Sequence, residues 1–134
     1  MTQRIGSFTV TVQKAHLEWG VHRYTNSRGV VYGEGYILIP ASCARKYNLL
    51  NLNGTNGEDI FGDNIFYCHS ADGTFSGMLR SQGCHEAGDK YAKQFAGDKN
   101  LKAVGDWYYS QGVQIGDRVK VTWVSDTEVC IEVL

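Results

Sequence analysis

Hydrophobic and polar residues alternate strictly near both ends of the sequence. Close to the N-terminus, Phe8, Val10 and Val12 alternate with threonines. Close to the C-terminus, two further alternating runs flank a turn at Ser125-Asp126. A period of two is typical of a half-buried β-strand. The pattern therefore predicts one early strand and a late antiparallel hairpin, whose inward positions are Val119, Val121, Trp123, Val129, Ile131 and Val133.

A different pattern follows residue 35. Residues 36–39 form a continuous apolar run, which is expected of a strand that is covered on both sides. Pro40 then suits the first turn of a helix, where its missing N–H would be unpaired in any case. The spacing predicts a short helix that ends near Asn48, with Ala44 and Tyr47 on its buried side. Cys43 completes that apolar stripe, and Arg45 and Lys46 face outward.

The middle of the chain predicts a second hairpin and a second helix. Residues 65–69 and 74–79 read as strands on either side of a tight turn at Asp72-Gly73. Residues 81–97 have no consistent period. A short helix is predicted over residues 99–109, where Leu101, Val104 and Tyr108 form the apolar stripe and Gly105 weakens it.

These elements predict one mostly β domain that spans residues 1–134, with six or seven strands and two short helices. Strands at this spacing without regular βαβ alternation favour a largely antiparallel, barrel-like architecture. Hydrophobic residues make up 43% and charged residues 20% of the chain, as in ordinary soluble proteins. No apolar run approaches the length of a membrane span, and no hydrophobic signal core opens the sequence. We expect an intracellular protein.

Two irregular stretches, residues 13–33 and 80–95, each follow a predicted strand. Connections this long are usually functional or disordered, and the first is too aromatic for disorder. The first carries Lys14, Arg23 and Arg28, and the later stretch, counted from Ser76 to Lys102, carries five lysines and arginines. Every charged side chain between Asn51 and Gly73, here called the acidic stretch, is negative, namely Glu58, Asp59, Asp63 and Asp72. If the two stretches meet in space, one end of the molecule would be basic and would steer a polyanion, although the net charge is only −1. The alternative is that these cations simply solubilise loops.

Three blocks of the sequence resemble, in the same order, the blocks of B-three DNA-binding domains. The first is the apolar strand, proline and short helix of "GYILIPASCARKYNL". The second is the central hairpin of "DGTFSGML". The third is the helix, loop and strand of "LKAVGDWYYSQGVQIGDRVKVTWV", in which Ile115 precedes Gly116-Asp117. The resemblance covers roughly residues 6–134.

The resemblance implies a seven-stranded open pseudobarrel, largely antiparallel, with two short flanking α-helices. In that superfamily two irregular arms grip the major groove of double-stranded DNA like a wrench. Their positions fall on residues 13–33, here called arm 1, and residues 80–95, here called arm 2. The closest branch is that of the effector (DNA-recognition) domains of EcoRII- and BfiI-type restriction endonucleases. A prokaryotic, cytoplasmic protein is then expected, monomeric as a domain, that works with a separate nuclease domain or subunit.

Sequence readout in the major groove uses side chains that offer paired donors or acceptors, namely arginine for guanine, asparagine or glutamine for adenine, and carboxylates for cytosine. Both arms carry all three chemistries and phosphate-binding cations as well. A non-specific binder would need the cations but not the carboxylates and amides. The predicted DNA-binding residues are His16, Glu18, His22, Arg23, Tyr24, Asn26 and Arg28 in arm 1, and Arg80, Gln82, His85, Glu86, Lys90 and Lys93 in arm 2.

Each of these residues also has a simpler interpretation. Glu18 and Arg23 could pair with each other, the aromatic residues could hold the loop rigid, and the histidines could be ordinary surface residues. The alternative function is that of a small antiparallel barrel that binds a small molecule or a protein, with residues 13–33 as a lid over the binding pocket. A reader of modified bases would need a pocket for a flipped base, and nothing in the sequence demands one.

No catalytic or cofactor signature is present in the sequence. Nuclease motifs, nucleophile elbows and phosphate-binding glycine loops are all absent. The pairs Cys68-His69 and Cys84-His85 could in principle form a Cys2His2 site, but no CxxC knuckle supports one. We expect reduced thiols, no metal, no cofactor and no enzymatic activity.

Overall fold

The computed structural model describes residues 4–13, 16, 35–51, 60–83, 90–100 and 102–134. Within these ranges the chain forms seven strands and two helices. In chain order they are β1 (Ser7–Thr11), β2 (Ile37–Leu38), α1 (Ala41–Lys46), β3 (Ile65–Ser70), β4 (Ser76–Gln82), β5 (Gln94–Gly97), α2 (Ala103–Ser110), β6 (Arg118–Ser125) and β7 (Glu128–Val133).

The seven strands form one mixed sheet that curls into a nearly closed barrel. Their order is β1-β6-β7-β3-β4-β5-β2, and every neighbouring pair is antiparallel except β3 and β7. The predicted mostly β fold with two short helices is confirmed. None of the helices in the described ranges combines the length and the apolar character that crossing a membrane requires.

The directions of the strands place each connection at one of the two ends of the barrel. We call the end where β1 stops and β2 starts the upper end, and the opposite one the lower end. Because antiparallel neighbours alternate in direction, β4 stops and β5 starts at the lower end. Helix α2 and the β3–β4 turn lie at the upper end, whereas α1 and the β6–β7 turn lie at the lower end.

Inward positions of the strands fill the barrel with side chains. Phe8, Val119, Val121 and Ile131 are all buried, as the alternation predicts. The centre is aromatic, since the Phe66 ring lies 5.7 Å from the Phe95 ring and 5.7 Å from that of Trp123, both in edge-on geometry. Such pairs are more favourable than their buried area alone accounts for.

Arg4 plugs the lower end of the barrel. Its guanidinium donates hydrogen bonds to the carbonyl oxygens of Tyr47 (2.8 Å), Asn48 (3.1 Å), Gly62 (2.7 Å) and Asp126 (2.6 Å). It also lies 5.0 Å from the centre of the Phe66 ring. Burial lowers the pKa of Arg4 from its ordinary value, and Asp126 opposes that shift. Four segments of the chain are thereby joined by one side chain that the sequence analysis did not single out.

The predicted bounds of β4 and α2 are wrong, and β5 was not predicted at all. Strand β4 spans Ser76–Gln82 and not residues 74–79, and α2 begins at Ala103 and not at residue 99. No alternation marks β5, because Phe95, Ala96 and Gly97 are all buried. A Cβ atom at Gly97 would lie 2.2 Å from the carbonyl oxygen of Asn100, so this strand packs directly against the following backbone.

Candidate nucleic-acid interface

The outer surface of β4, β5 and β2 carries a row of polar side chains. Gln82 pairs with Gln94, which in turn pairs with Leu38 on β2. The next outward row contains Arg80 opposite Ala96. Because alternate strand positions face opposite sides, these side chains point away from the core. We call the half-buried positions on this side, namely Leu38, Arg80, Gln82 and Gln94, the inter-arm face, and Ala96 between them is buried.

Arm 1 begins and ends at the upper end of the barrel, and we call Gln13, His16, Gly35 and Tyr36 the arm 1 root. The N–H of Tyr36 donates to the carbonyl oxygen of His16 at 3.0 Å. The Tyr108 hydroxyl on α2 donates to the carbonyl oxygen of Tyr36 at 2.9 Å. A Cβ atom at Gly35 would lie 2.8 Å from the His16 carbonyl oxygen, so glycine allows the two ends of the loop to touch.

His16 closes the arm 1 root through its imidazole. Its Nδ1 accepts a hydrogen bond from the N–H of Gln13 at 3.1 Å, and its ring lies 4.9 Å from the ring of Tyr36. Only 5% of His16 is exposed. Burial lowers the pKa of His16 from its ordinary value, and an Nδ1 that accepts a hydrogen bond must be unprotonated. The contacts described therefore give His16 a role in holding the loop closed, and contact of His16 with DNA stays a prediction.

The predicted bounds of arm 2 are too wide, because residues 80–82 belong to β4 and residues 94–95 to β5. The connection between these strands begins and ends at the lower end of the barrel, and we call Asn51, Gly83 and Lys90 the arm 2 root. The side-chain oxygen of Asn51 accepts from the N–H of Gly83 at 2.9 Å. The backbone N–H of the same asparagine donates to the carbonyl oxygen of Lys90 at 2.9 Å. Asn51 is completely buried. Asn51 thus contacts both residues at which the chain leaves and rejoins the barrel, Gly83 through its side chain and Lys90 through its backbone N–H.

The two roots lie at opposite ends of the barrel and not at one common end, so the idea of a single basic end is wrong for the described residues. They nevertheless flank the same short strand pair. The N–H of Ile39 donates to the carbonyl oxygen of Lys93 at 2.8 Å, and Tyr36 precedes Ile39 by three residues. At about 3.3 Å per residue, Tyr36 of the arm 1 root and the contact between Ile39 and Lys93 are roughly 10 Å apart along β2. Gly83 and Lys90 lie on the lower side of that contact, so the two roots bracket the outer surface of β2, β5 and β4.

Arg80 lies on the inter-arm face and is held by a carboxylate. Its Nη2 lies 2.9 Å from Oδ1 of Asp98, and both side chains are largely covered. Asp98 follows β5, so the ion pair joins β4 to the loop after its neighbour. An arginine whose rotamer is fixed in this way loses less conformational entropy when it binds a second acceptor.

The lysines of arm 2 are exposed. Lys93 lies between the arm 2 root and β5, and its backbone N–H donates to the carbonyl oxygen of Gln82 at 2.9 Å. The ammonium group of Lys90 lies 5.4 Å from the centre of the Tyr91 ring. Both side chains can thus approach a polyanion from the lower end of the inter-arm face. The Gln82 side chain, on the same face, is half-buried.

Of the thirteen predicted DNA-binding residues, five lie in the described ranges, and the structure brings Arg80, Gln82, Lys90 and Lys93 to the arm 2 side of the inter-arm face. His16 lies at the arm 1 root. The remaining ones, Glu18, His22, Arg23, Tyr24, Asn26, Arg28, His85 and Glu86, lie outside the described residues.

The acidic stretch is not gathered at one end in the part of the chain that the structure describes. Asp63 lies near Arg4 at the lower end, where its charge partly opposes the lowering of the Arg4 pKa by burial. Asp72 lies in the β3–β4 turn at the upper end and accepts hydrogen bonds from Ser70 and Thr74. Those bonds lower the pKa of Asp72. Asp72 therefore has a structural role in the hairpin. Glu58 and Asp59 lie outside the described residues.

The adjacent pair Cys68-His69 cannot ligate one metal ion. Cys68 points into the core and is fully buried, whereas His69 faces outward with its Nδ1 3.3 Å from Glu128. Burial also raises the pKa of the Cys68 thiol, which keeps it protonated. Among the described residues no group of three metal-ligating side chains occurs. The second pair, Cys84-His85, lies outside the described residues.

Two open clefts of about 290 and 520 Å³ lie beside α2, and Trp107 lines both of them. The larger extends from the β3–β4 turn along β4 to Asp98. Both are at the upper end and outside the barrel, whose interior is filled with side chains. Nothing in the described structure therefore provides the enclosed pocket that a lid over a barrel ligand would close.

Three residues of this region were missed by sequence reasoning, namely Asn51, Gln94 and Asp98. Asn51 stands in a stretch rich in turn formers, and no local signal separates it from its neighbours. Gln94 belongs to the inter-arm face, and Asp98 pairs with Arg80 on it, only because of the register of β5. That register is set by pairing with β4, which a periodicity argument does not detect.

These features define a class of molecule: a nearly closed, mixed seven-strand barrel with a polar outer face between two loop roots. Among solved structures, the fold is similar to the N-terminal domain of Helicobacter pylori LlaJI.R1, with a TM-score of 0.51 and 8% identity. The match covers 96% of this chain and 86% of that chain. No protein-family model and no curated protein matches the sequence. At this identity the similarity is one of fold, and it fits a B-three-like pseudobarrel only loosely.

Proposed function

We propose that this protein recognises specific sequences in double-stranded DNA, with one arm on each side of a major groove and the inter-arm face between them. The observation that carries the proposal is the placement of the two roots at opposite ends of the inter-arm face, so that the chain leaves the barrel on each side of it. Between them, Arg80 and Gln82 face outward on β4. Arm 1 also contributes Arg23, Asn26 and Arg28 by sequence position.

The roles of the side chains follow from their chemistry. Arg80, whose guanidinium is oriented by Asp98, is suited to a bidentate contact with guanine. Gln82 and Gln94, side by side, are suited to adenine. Lys90 and Lys93 are exposed cations that would bind phosphates. The protein would have no catalytic step of its own.

The partner and the setting follow from the structural neighbour and from the B-three resemblance. LlaJI.R1 is a restriction-system protein, and the resemblance extends to effector domains of EcoRII- and BfiI-type endonucleases. We therefore propose a target-recognition domain or subunit of a restriction endonuclease system. It would act in a prokaryotic cytoplasm, as a monomeric domain, together with a nuclease domain or subunit.

The test is selection of bound sequences from a random duplex pool, followed by titration of the selected and a scrambled duplex at several salt concentrations. We expect a defined consensus and an affinity that falls steeply with salt. Lys90→Ala should weaken both duplexes alike and reduce the salt slope by about 0.9. Lys120→Ala, on the far side of the barrel, is the control and should leave both values unchanged.

The rival function, in which arm 1 is the lid of a ligand-binding barrel, has no specific observation in its favour. A pool that yields no consensus, together with binding that does not depend on salt, would contradict DNA recognition and would leave that rival standing.

A further inference from the structure

We infer that Asn51 is the positioning residue of arm 2 and that it sets the sequence selectivity of this arm without touching DNA. This inference rests on the proposed function. Asn51 lies five residues after the last residue of α1, outside both predicted arms. Its side-chain oxygen accepts from the N–H of Gly83 and its backbone N–H donates to the carbonyl oxygen of Lys90, both at 2.9 Å, and we call this pair of contacts the clamp.

The clamp is built on a short antiparallel ladder that leads up to it. Leu50 forms a bridge with Tyr91, and the N–H of Ala92 donates to the carbonyl oxygen of Leu49 at 2.8 Å. The hydroxyl of Ser81 donates to the carbonyl oxygen of Leu50 at 2.8 Å. Residues 49–51 are thus fixed to both β4 and the segment before β5, so the position of the Asn51 side chain is determined by the barrel.

The backbone of Gly83 packs tightly against the Asn51 side chain. A Cβ atom added at Gly83 would lie 3.2 Å from Nδ2 of Asn51 and 3.4 Å from the carbonyl oxygen of Tyr91. The backbone at Gly83 therefore lies directly against the asparagine. Because Asn51 is fully buried, its loss would leave the Gly83 N–H without its acceptor in a covered site, which the surrounding chain can relieve only by moving.

Loss of the contact between Asn51 and Gly83 should shift arm 2 relative to the bases that it reads. Bidentate contacts with bases require a fixed position and orientation of the side chain, whereas lysine binds phosphate as a point charge. Movement at Gly83 should therefore reduce binding to the selected duplex more than binding to a scrambled duplex, although the backbone bond from Asn51 to Lys90 is kept in Asn51→Ala. A change that merely unfolds the protein would reduce both.

The experiment compares Asn51→Ala with wild-type protein in two measurements, namely amide hydrogen exchange and the ratio of affinities for the selected and scrambled duplexes. We expect exchange at Gly83 to rise about tenfold while Ala92 and Lys93 remain protected. The affinity ratio should fall about tenfold, with the salt slope unchanged. Asn51→Asp, which keeps an oxygen acceptor for Gly83, should restore protection at Gly83.

Asn64→Ala is the matched control. Asn64 is equally buried, and its side-chain oxygen accepts from the N–H of Ile60 in a different turn. It should lower stability but leave exchange at Gly83 and the affinity ratio unchanged. Gly83→Ala provides a second variant if Asn51→Ala fails to fold, since its methyl group disturbs the same contact from the other side. It should lower the ratio about threefold.

The outcomes separate the clamp from the proposed function. If folded Asn51→Ala, or Gly83→Ala in its place, keeps the wild-type exchange at Gly83 and the wild-type affinity ratio, the clamp is refuted while DNA recognition stands. If wild-type protein binds no duplex, DNA recognition is refuted and the selectivity role falls with it. Exchange at Gly83 would then report only whether Asn51 holds the loop.

Discussion

The two arm roots solve the same structural problem with different chemistry. At the upper end, the imidazole of His16 accepts the N–H of Gln13 and the root rests on α2 through Tyr108. At the lower end, the amide of Asn51 accepts the N–H of Gly83. An imidazole titrates near pH 6.5 and an amide does not titrate. The arm 1 root should therefore respond to acid, whereas the arm 2 root should not.

The two ends of the barrel are also closed by different kinds of contact. Arg4 closes the lower end by hydrogen bonds to four carbonyl oxygens, two of them on Tyr47 and Asn48 just before the clamp residue Asn51. The upper end is closed by α2, whose Trp107 donates to the hydroxyl of Thr74 at 3.1 Å. Polar bonds from a buried charge thus support arm 2, and helix packing supports arm 1.

The largest effect is expected from removing the plug at the lower end. Arg4→Met keeps the length of the side chain but leaves its carbonyl partners without a donor, and it should lower the free energy of unfolding by about 3–5 kcal/mol. Urea denaturation measures this loss. The exposed Arg118→Met is the control. Exchange should increase at Gly83 more than at Gln13, and an equal increase at both would contradict the division between the ends.

The next effect concerns binding and not stability. Arg80→Ala should weaken binding to the selected duplex by about 1–3 kcal/mol if the guanidinium contacts guanine. Asp98→Asn should act in the same direction but less strongly, because it only loosens the orientation of Arg80. The control is Arg118→Ala, on β6. Unchanged affinity in Arg80→Ala would remove β4 from the interface.

Tyr108→Phe tests the support of the arm 1 root. It removes the hydrogen bond to the carbonyl oxygen of Tyr36 and leaves that oxygen buried, so a loss of about 1–2 kcal/mol in unfolding free energy is expected. The neighbouring Tyr109 is 90% exposed, and Tyr109→Phe should have no measurable effect. Exchange should rise at Tyr36 and stay constant at Gly83. The reverse order would mean that the two roots are not independent.

The smallest effect is the response of arm 1 to pH. Because the folded pKa of His16 is lowered, the unfolded chain binds a proton more readily, and stability is present above about pH 6.5 and lost as the pH falls below it. Urea midpoints near pH 7.5 and pH 5.5 should therefore differ more in wild-type protein than in His16→Gln, which keeps an acceptor that does not titrate. Equal differences would show that the hydrogen bond from Gln13 to His16 does not contribute to the pH dependence of stability.

The environment of a residue can be predicted from the sequence where local periodicity determines it, and cannot be predicted where a partner far along the chain determines it. The alternation of Val119, Val121 and Trp123 predicts their burial, and the "GYILIP" run and Pro40 predict β2 and α1. In these elements the side chain's neighbours along the chain determine its environment. The two arms are also visible as breaks in periodicity.

The residues that organise the interface could not be predicted in the same way. Arg4 bonds to partners 43, 44, 58 and 122 positions away, and the partner of Asn51 at Gly83 is 32 positions away. Strand β5 shows no period, since its outward residue Ala96 is covered. The position of the roots at opposite ends of the barrel follows from strand order, which periodicity does not determine.

The central claim is that duplex DNA lies against the inter-arm face, and the most direct test is amide chemical-shift mapping during titration with the selected duplex. The account predicts that the largest shifts occur at Gln82, Gly83, Lys93 and Gln94, with little change at Lys120 and Glu132 on the opposite side of the barrel. Shifts concentrated around Trp107 and Gln111 beside the α2 clefts, or spread evenly over the surface, would contradict it.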